Sequence, residues 1–191
     1  MRQLSAIQII NWMWLIWILN WLVSAFFVKK TETKEPGTRR LAHLVLFGAG
    51  LLVIYGHEWH LGVLDRHFIS ATASINGIAV CLSAAGLILA FWARAHIGQY
   101  WSATIALKQD HRVVQTGPYA YLRHPIYTGI ILAFLGQLLV TGQYRGMLGL
   151  GLIIAALVQK ARSEEGLLSQ ILGPAYRDYR QHTGFLLPRI H

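Results

Sequence analysis

Gly117-Pro118-Tyr119-Ala120-Tyr121-Leu122-Arg123-His124-Pro125-Ile126-Tyr127-Thr128-Gly129 leads a turn, two basic side chains and three tyrosines directly into an apolar run that ends near residue 141. Gly-Pro is turn chemistry. Pro125 suits the first turn of a helix, where its missing N–H is no loss. The stretch therefore reads as a polar turn followed by a helix start. Polar groups gathered at the end of an apolar helix are costly in a membrane and are usually positioned for a ligand.

Outward from this stretch the chain reads as a membrane protein. Of its 191 residues, 54% are hydrophobic and 13% charged, against about 25% charged in a soluble domain. Mean hydropathy is +0.42. Apolar segments run over 7–28, 39–55, 74–93, 126–141 and 146–160. The first and third are long enough to span alone, since a crossing takes about 20 residues; the other three are short. The first lacks the short apolar core and small-residue cleavage site of a signal peptide, so it is expected to be a retained helix. The last two are expected to form a helical hairpin turning at Thr141-Gly142-Gln143-Tyr144-Arg145-Gly146, helped by its glycines. The expected fold is all-α: a polytopic membrane protein with about five transmembrane helices and a C-terminal amphipathic helical segment. No repeat or long linker divides it, so residues 1–191 are expected to form one integral membrane domain.

The charges give that layout an orientation. With five crossings, all of the 17 Lys and Arg residues except Arg2, Arg66 and Arg145 fall on one side. Positive charge marks the cytosolic side. The N-terminus is thus expected outside and the C-terminus in the cytosol, as in a bacterial inner membrane. The net charge of +9 follows from this topology and from anionic headgroups; nucleic acid is not required.

A single cysteine, Cys81, excludes an intramolecular disulfide and a Cys-based zinc site. His57-Glu58-Trp59-His60 lacks the His-Glu-x-x-His spacing of zinc peptidases, and reads as a polar outer loop rather than a metal site. His43 and His96 lie on different helices and read as interfacial residues rather than haem ligands. Trp14, Trp17 and Trp21 recur at helical spacing, as a packing stripe does.

Two polar patches share the basic side, one over residues 94–129 and the other over 160–191. The first includes a connection of about thirty residues, and loops that long in a compact domain are usually functional or linkers. In the second, Lys160 and Glu164 lie four apart on one helix face. Leu167, Leu168, Ile171 and Leu172 form the apolar stripe of an amphipathic helix. Gly173-Pro174 interrupts it, and Tyr176 and Tyr179 follow on a second short helix. Taken singly, Arg123 reads as an interfacial cation and Tyr119, Tyr121 and Tyr127 as interfacial aromatics.

Together the patches resemble the isoprenylcysteine carboxyl methyltransferase family. The resemblance rests on Gly117-Pro118-Tyr119, Arg123-His124-Pro125-Ile126-Tyr127-Thr128-Gly129, Glu164-Glu165, and Gly173 with Tyr176, Tyr179 and Pro188. Order and spacing both fit, over about the C-terminal half. The resemblance implies S-adenosyl-L-methionine as cofactor, bound within residues 104–191. His111, Arg112, Val113 and Val114 would run along it. Tyr119, His124, Pro125, Ile126 and Tyr127 would line its pocket, and Glu164 would bind it, with a ribose hydroxyl as partner. A family arginine facing the substrate falls at Lys160, which lacks Arg's bidentate fork for a carboxylate. A family glutamine falls near Thr104. Both departures lie on the substrate side, so the resemblance speaks for the cofactor more than for the acceptor.

The expected partner is a lipophilic or prenylated methyl acceptor, together with membrane lipid. A charged cofactor cannot enter hydrocarbon cheaply, so its pocket must open to water while a lipid acceptor arrives from the side. A carboxylate acceptor is already ionised near neutral pH and needs only alignment and exclusion of water. Lys160 or Arg162 is then the candidate to pair with it. An amine acceptor, as in phospholipid N-methylation, needs a base, for which Glu165 or His124 is the candidate. A different class of reading, a non-catalytic or haem-handling membrane subunit, would have no need to keep His124, Tyr127 and Glu164 together.

Overall fold

The structure is a computed structural model that describes residues 5–25, 31–34, 37–56, 58–98, 106–108 and 113–189. Among the described residues, five α-helices follow in chain order: α1 (Ala6–Ala25), α2 (Gly37–Tyr55), α3 (Ala73–Ile97), α4 (Pro125–Thr141) and α5 (Tyr144–His182). α1, α3 and α5 are long and apolar enough to cross a membrane, and α2 and α4 are shorter apolar helices. The expected five-helix, all-α frame is present. One departure concerns the fifth segment, which is no short helix: α5 continues far past residue 160. A small antiparallel ribbon, β1 (Thr31–Lys34) with β2 (Ala106–Lys108), links the two loops on the basic side. No alternating pattern in four polar residues announces such a strand.

Each boundary has a local cause. Thr72 caps α3, its side chain accepting from the Ile75 N–H at 3.2 Å, which occupies one of the donors a helix start leaves over. Pro125 begins α4 directly after His124. Gly142, at φ 64°, ends α4 in the left-handed conformation that a side chain resists, and α5 starts two residues later. The expected hairpin is thus formed.

α3 and α4 pack with their backbones nearly touching. Ala79, Ser83, Gly86 and Ala90 of α3 meet Gly129, Ala133 and Gly136 of α4, and a methyl group added at Gly86 would lie 2.6 Å from the Ala133 nitrogen. Ser83 Oγ donates to the Ala133 carbonyl at 3.2 Å. Such seams of small residues suit a bilayer, where close van der Waals approach drives helix association. α2 and α5 meet in the same way at Gly50 and Gly149. α1 packs more loosely, through the predicted tryptophan stripe: Trp14 lies 4.6 Å from the Phe134 ring of α4, and Trp17 lies 4.6 Å from Trp21.

The alternation of the helices creates two ends. At one end, Arg145 at the start of α5 is 3% exposed and donates to the carbonyls of Val53, Gly56 and Trp59 and to Asp65 at 3.1 Å. The other end gathers the end of α3, the start of α4 and the middle and tail of α5.

Candidate functional site

At this second end the turn Gly117–Ala120 is a single 3₁₀ turn. A methyl group on Gly117 would lie 2.8 Å from the His96 ring, so glycine is required for the loop to sit against α3. His96 Nε2 is 2.8 Å from Thr116 Oγ1, and its ring stacks on Tyr119. That contact gives His96 a loop-holding role. Tyr119 is buried and its carbonyl accepts from the Tyr179 hydroxyl at 2.8 Å. Burial pushes the Tyr119 phenol up, and the nearby Glu164 carboxylate adds to the shift.

His124 caps α4 with its side chain buried between the two acidic residues of α5. Its Nδ1 lies 3.6 Å from Glu164 Oε2, and its Nε2 lies 3.3 Å from Glu165 Oε1. The ring stacks parallel to Tyr127, 5.4 Å between centroids, and meets Phe185 edge-on. Tyr127 donates its hydroxyl to Glu164 Oε1 at 2.5 Å, and the Lys160 ammonium lies over the Tyr127 ring at 5.5 Å. His124, Tyr127, Lys160 and Glu164, four residues drawn from two distant patches, thus form one continuous polar cluster.

The neighbouring glutamate has different company. Glu165 accepts from Arg123 Nε at 2.5 Å and pairs with Arg180 at 3.4 Å. Arg123 also donates to the carbonyls of Thr183 and Arg180. The chain after α5 is then stitched to the start of α4: Arg123 N–H to the Gly184 carbonyl at 2.8 Å, Gly184 N–H to the Tyr121 carbonyl at 3.0 Å, and Thr128 Oγ1 to the Leu186 carbonyl at 2.8 Å. Arg123, taken from the sequence as an interfacial cation, is the clasp of this strap. Nothing in its sequence neighbourhood points to Glu165, 42 residues on.

The tail reaches α4 because α5 bends. Gly173 adopts φ 52°, ψ −121° inside the helix, and Pro174 follows. The predicted interruption is therefore a kink, with Tyr176 and Tyr179 buried on the piece beyond it.

Other predicted site residues lie elsewhere. Pro125 and Ile126 bury their side chains in the packing at the start of α4, and Val114 packs against the core. Val113 is half-buried beside it. Arg162 is exposed, two residues and roughly 200° around the helix from Lys160. The structure does not bring it to the cluster, which leaves Lys160 as the candidate cation on the site face. His111, Arg112 and Thr104 lie outside the described residues, as does His57.

Fold and cluster together define a class: an integral membrane protein of five helices with a polar site at one end of the bundle. Within that class, residues 78–170 match the isoprenylcysteine carboxyl methyltransferase (ICMT) family, as the motifs imply. A protein-S-isoprenylcysteine O-methyltransferase of Schizosaccharomyces pombe is 33% identical over 101 residues, 51% of this chain and 43% of that protein. The nickel-cobalt-cadmium resistance protein NccN of Alcaligenes xylosoxydans xylosoxydans is 32% identical over 98 residues, 50% of this chain and 46% of its own. Each match thus spans less than half of the relative's length. Among solved structures, the eukaryotic intramembrane Ras methyltransferase ICMT aligns with a TM-score of 0.50 over 81% of this chain and 52% of that one, at 21% identity. That likeness concerns the fold.

Proposed function

We propose that the chain is a methyltransferase that uses S-adenosylmethionine on a lipophilic acceptor at the cytosolic face of a membrane, with an isoprenylcysteine-like carboxylate as the acceptor class. The observation that carries the reading is the His124–Tyr127–Glu164 cluster, inside the segment that matches the family. The excess of basic residues at that end supports a cytosolic position for it, with the C-terminus inside, as in a bacterial inner membrane.

The cluster suits the cofactor. Glu164 spends one oxygen on Tyr127, while its other oxygen lies 3.6 Å from His124, too long for a good hydrogen bond. A carboxylate has about four acceptor positions, so Glu164 keeps capacity for hydroxyl or ammonium donors. Its side chain is 21% exposed, against 8% for Glu165, so it is the glutamate open to a ligand. Glu164, Tyr127 and His124 would hold the cofactor, which when bound supplies an electrophilic methyl group. Tyr127 fixes the carboxylate rotamer, and the strap over His124 shields this end from water.

The surroundings of Glu165 favour a carboxylate acceptor over an amine. An amine must lose a proton to a base; Glu165 has its oxygens committed to Arg123, His124 and Arg180, and the two ring nitrogens of His124, the other candidate, face Glu164 and Glu165. A carboxylate acceptor needs no base, and Lys160, placed over Tyr127 beside Glu164, is the cation that would align it. Glu165 is then a positioning residue for His124 rather than a proton acceptor.

Calorimetric titration of the detergent-purified protein with S-adenosylmethionine, and with its demethylated product, tests the cofactor. Saturable binding is expected; no binding across several lipid conditions would overturn the reading. Labelled cofactor supplied with a membrane extract then tests the acceptor. Base-labile label is expected for a methyl ester, whereas base-stable label in phospholipid would indicate N-methylation.

A further inference from the structure

α5 carries a second feature on the face turned away from the cluster. Ala155, Val158, Gln159, Arg162 and Ser163 line a shallow, open groove of about 530 Å³ along one face of the helix. The spacing of these residues is that of one helix stripe. The groove changes character along its length, from Ala155 and Val158 at the apolar end to Gln159, Arg162 and Ser163 at the polar end. This change falls where the apolar stretch of α5 gives way to its charged stretch at Lys160–Glu165, which is the level of the hydrocarbon–headgroup boundary on a spanning helix.

We propose that this groove is a binding site for one anionic phospholipid. Its acyl chain lies along Ala155 and Val158, and its phosphate meets Arg162, with Ser163 and Gln159 as hydrogen-bond partners. Charge complementarity selects this occupant. Arg162 presents a planar fork of donors matched to phosphate oxygens, and its side chain is exposed. The acidic neighbours are directed elsewhere: Glu164 to Tyr127, and Glu165 to Arg123, His124 and Arg180. A neutral lipid would use the apolar end but would gain no net charge attraction from Arg162. The site does not depend on the methyl-transfer reading, because none of its lining residues belongs to the cluster.

The test is stepwise removal of lipid from protein purified out of mixed phosphatidylglycerol–phosphatidylcholine nanodiscs, read by native mass spectrometry. One phosphatidylglycerol is expected to persist on the wild type after the remaining lipid has gone. Arg162→Gln should reduce that retained fraction by about fivefold, the effect of one basic residue at an anionic surface. Val158→Trp, which fills the apolar end, should also remove it while binding of S-adenosylhomocysteine and the thermal midpoint stay as in the wild type. Equal retention of phosphatidylcholine, or a phosphatidylglycerol that survives both substitutions, would overturn the proposal. So would a wild-type dimer that either substitution separates, because the groove would then seat a second copy. Loss of cofactor binding in the wild type would count against the methyltransferase reading alone.

Discussion

Each end of the bundle is closed by an arginine, Arg145 at one and Arg123 at the other, and the two have different neighbours. Arg145, at the start of α5, spends its donors on three backbone carbonyls and Asp65. All these partners belong to the end of α2 and the loop beyond it, so the arginine simply closes that end. Arg123, at the start of α4, closes its end too, through Glu165 and the carbonyls of Arg180 and Thr183. Beside it, however, stands a second glutamate that is only partly used, with Tyr127 donating to it, His124 next to it and Lys160 over the Tyr127 ring. A buried charge therefore does not by itself mark a site in this fold. The proposed site is distinguished instead by a polar group left with spare capacity next to groups that are fully spent.

That contrast can be broken at either end. The largest effect is expected from Arg145→Met, which takes a shared donor from three carbonyls and the cation from Asp65. Breaking a buried pair costs about 3–5 kcal/mol, so the thermal midpoint in detergent should fall steeply, and ligand binding should fall only in step with the folded fraction. Arg123→Met should come next and should mix the two effects. It loosens the strap and frees Glu165, so the midpoint drops and limited proteolysis should cut after α5, while cofactor affinity falls further than unfolding explains. Glu164→Ala should separate binding from stability. Loss of a charged hydrogen-bonding partner, worth about 1.5–3 kcal/mol, should weaken cofactor binding by roughly ten- to a hundredfold in calorimetry with the midpoint nearly unchanged. The smallest change is expected from Tyr127→Phe, which leaves Glu164 in place but frees its rotamer. A loss of about fivefold in affinity, near 1 kcal/mol, should be measured. If Glu164→Ala lowers the midpoint as far as Arg145→Met while leaving affinity intact, the two ends are alike and the site assignment fails.

Much of this was legible before the structure. The spans, the hairpin at Gly142, the break at Gly173 and the grouping of His124, Tyr127 and Glu164 in one polar cluster all rest on local pattern or on motif. Lys160 was legible from its four-residue spacing to Glu164. What was not legible depended on partners distant in the chain. Ala79, Ser83, Gly86 and Ala90 have the spacing of a seam, yet small residues in an apolar helix become a seam only when Gly129, Ala133 and Gly136 lie opposite. Arg123 read as an interfacial cation because its partners come from the far end of α5. Arg162 read as a site residue because it is close to Lys160 in sequence, although the helix turns it to another face. Glu165 likewise read as a base, since adjacent glutamates look alike until one is seen between two guanidinium groups.

Gly173 gives the site an unexpected dependence. Among the described residues, nothing lies within 4 Å of where its side chain would be, so the space around it gives no hint of its importance. Its positive φ nevertheless directs everything beyond it. About 10 Å of helix separates Gly173 from Arg180, so a change of roughly 20° at the bend becomes a shift of about 3.5 Å at Arg180, enough to break a hydrogen bond. Any larger residue there would favour a straighter rod and swing the tail away from α4, although the substitution meets no atom. The polar end of this protein is held together partly by the backbone dihedral angles open to an amino acid without a side chain.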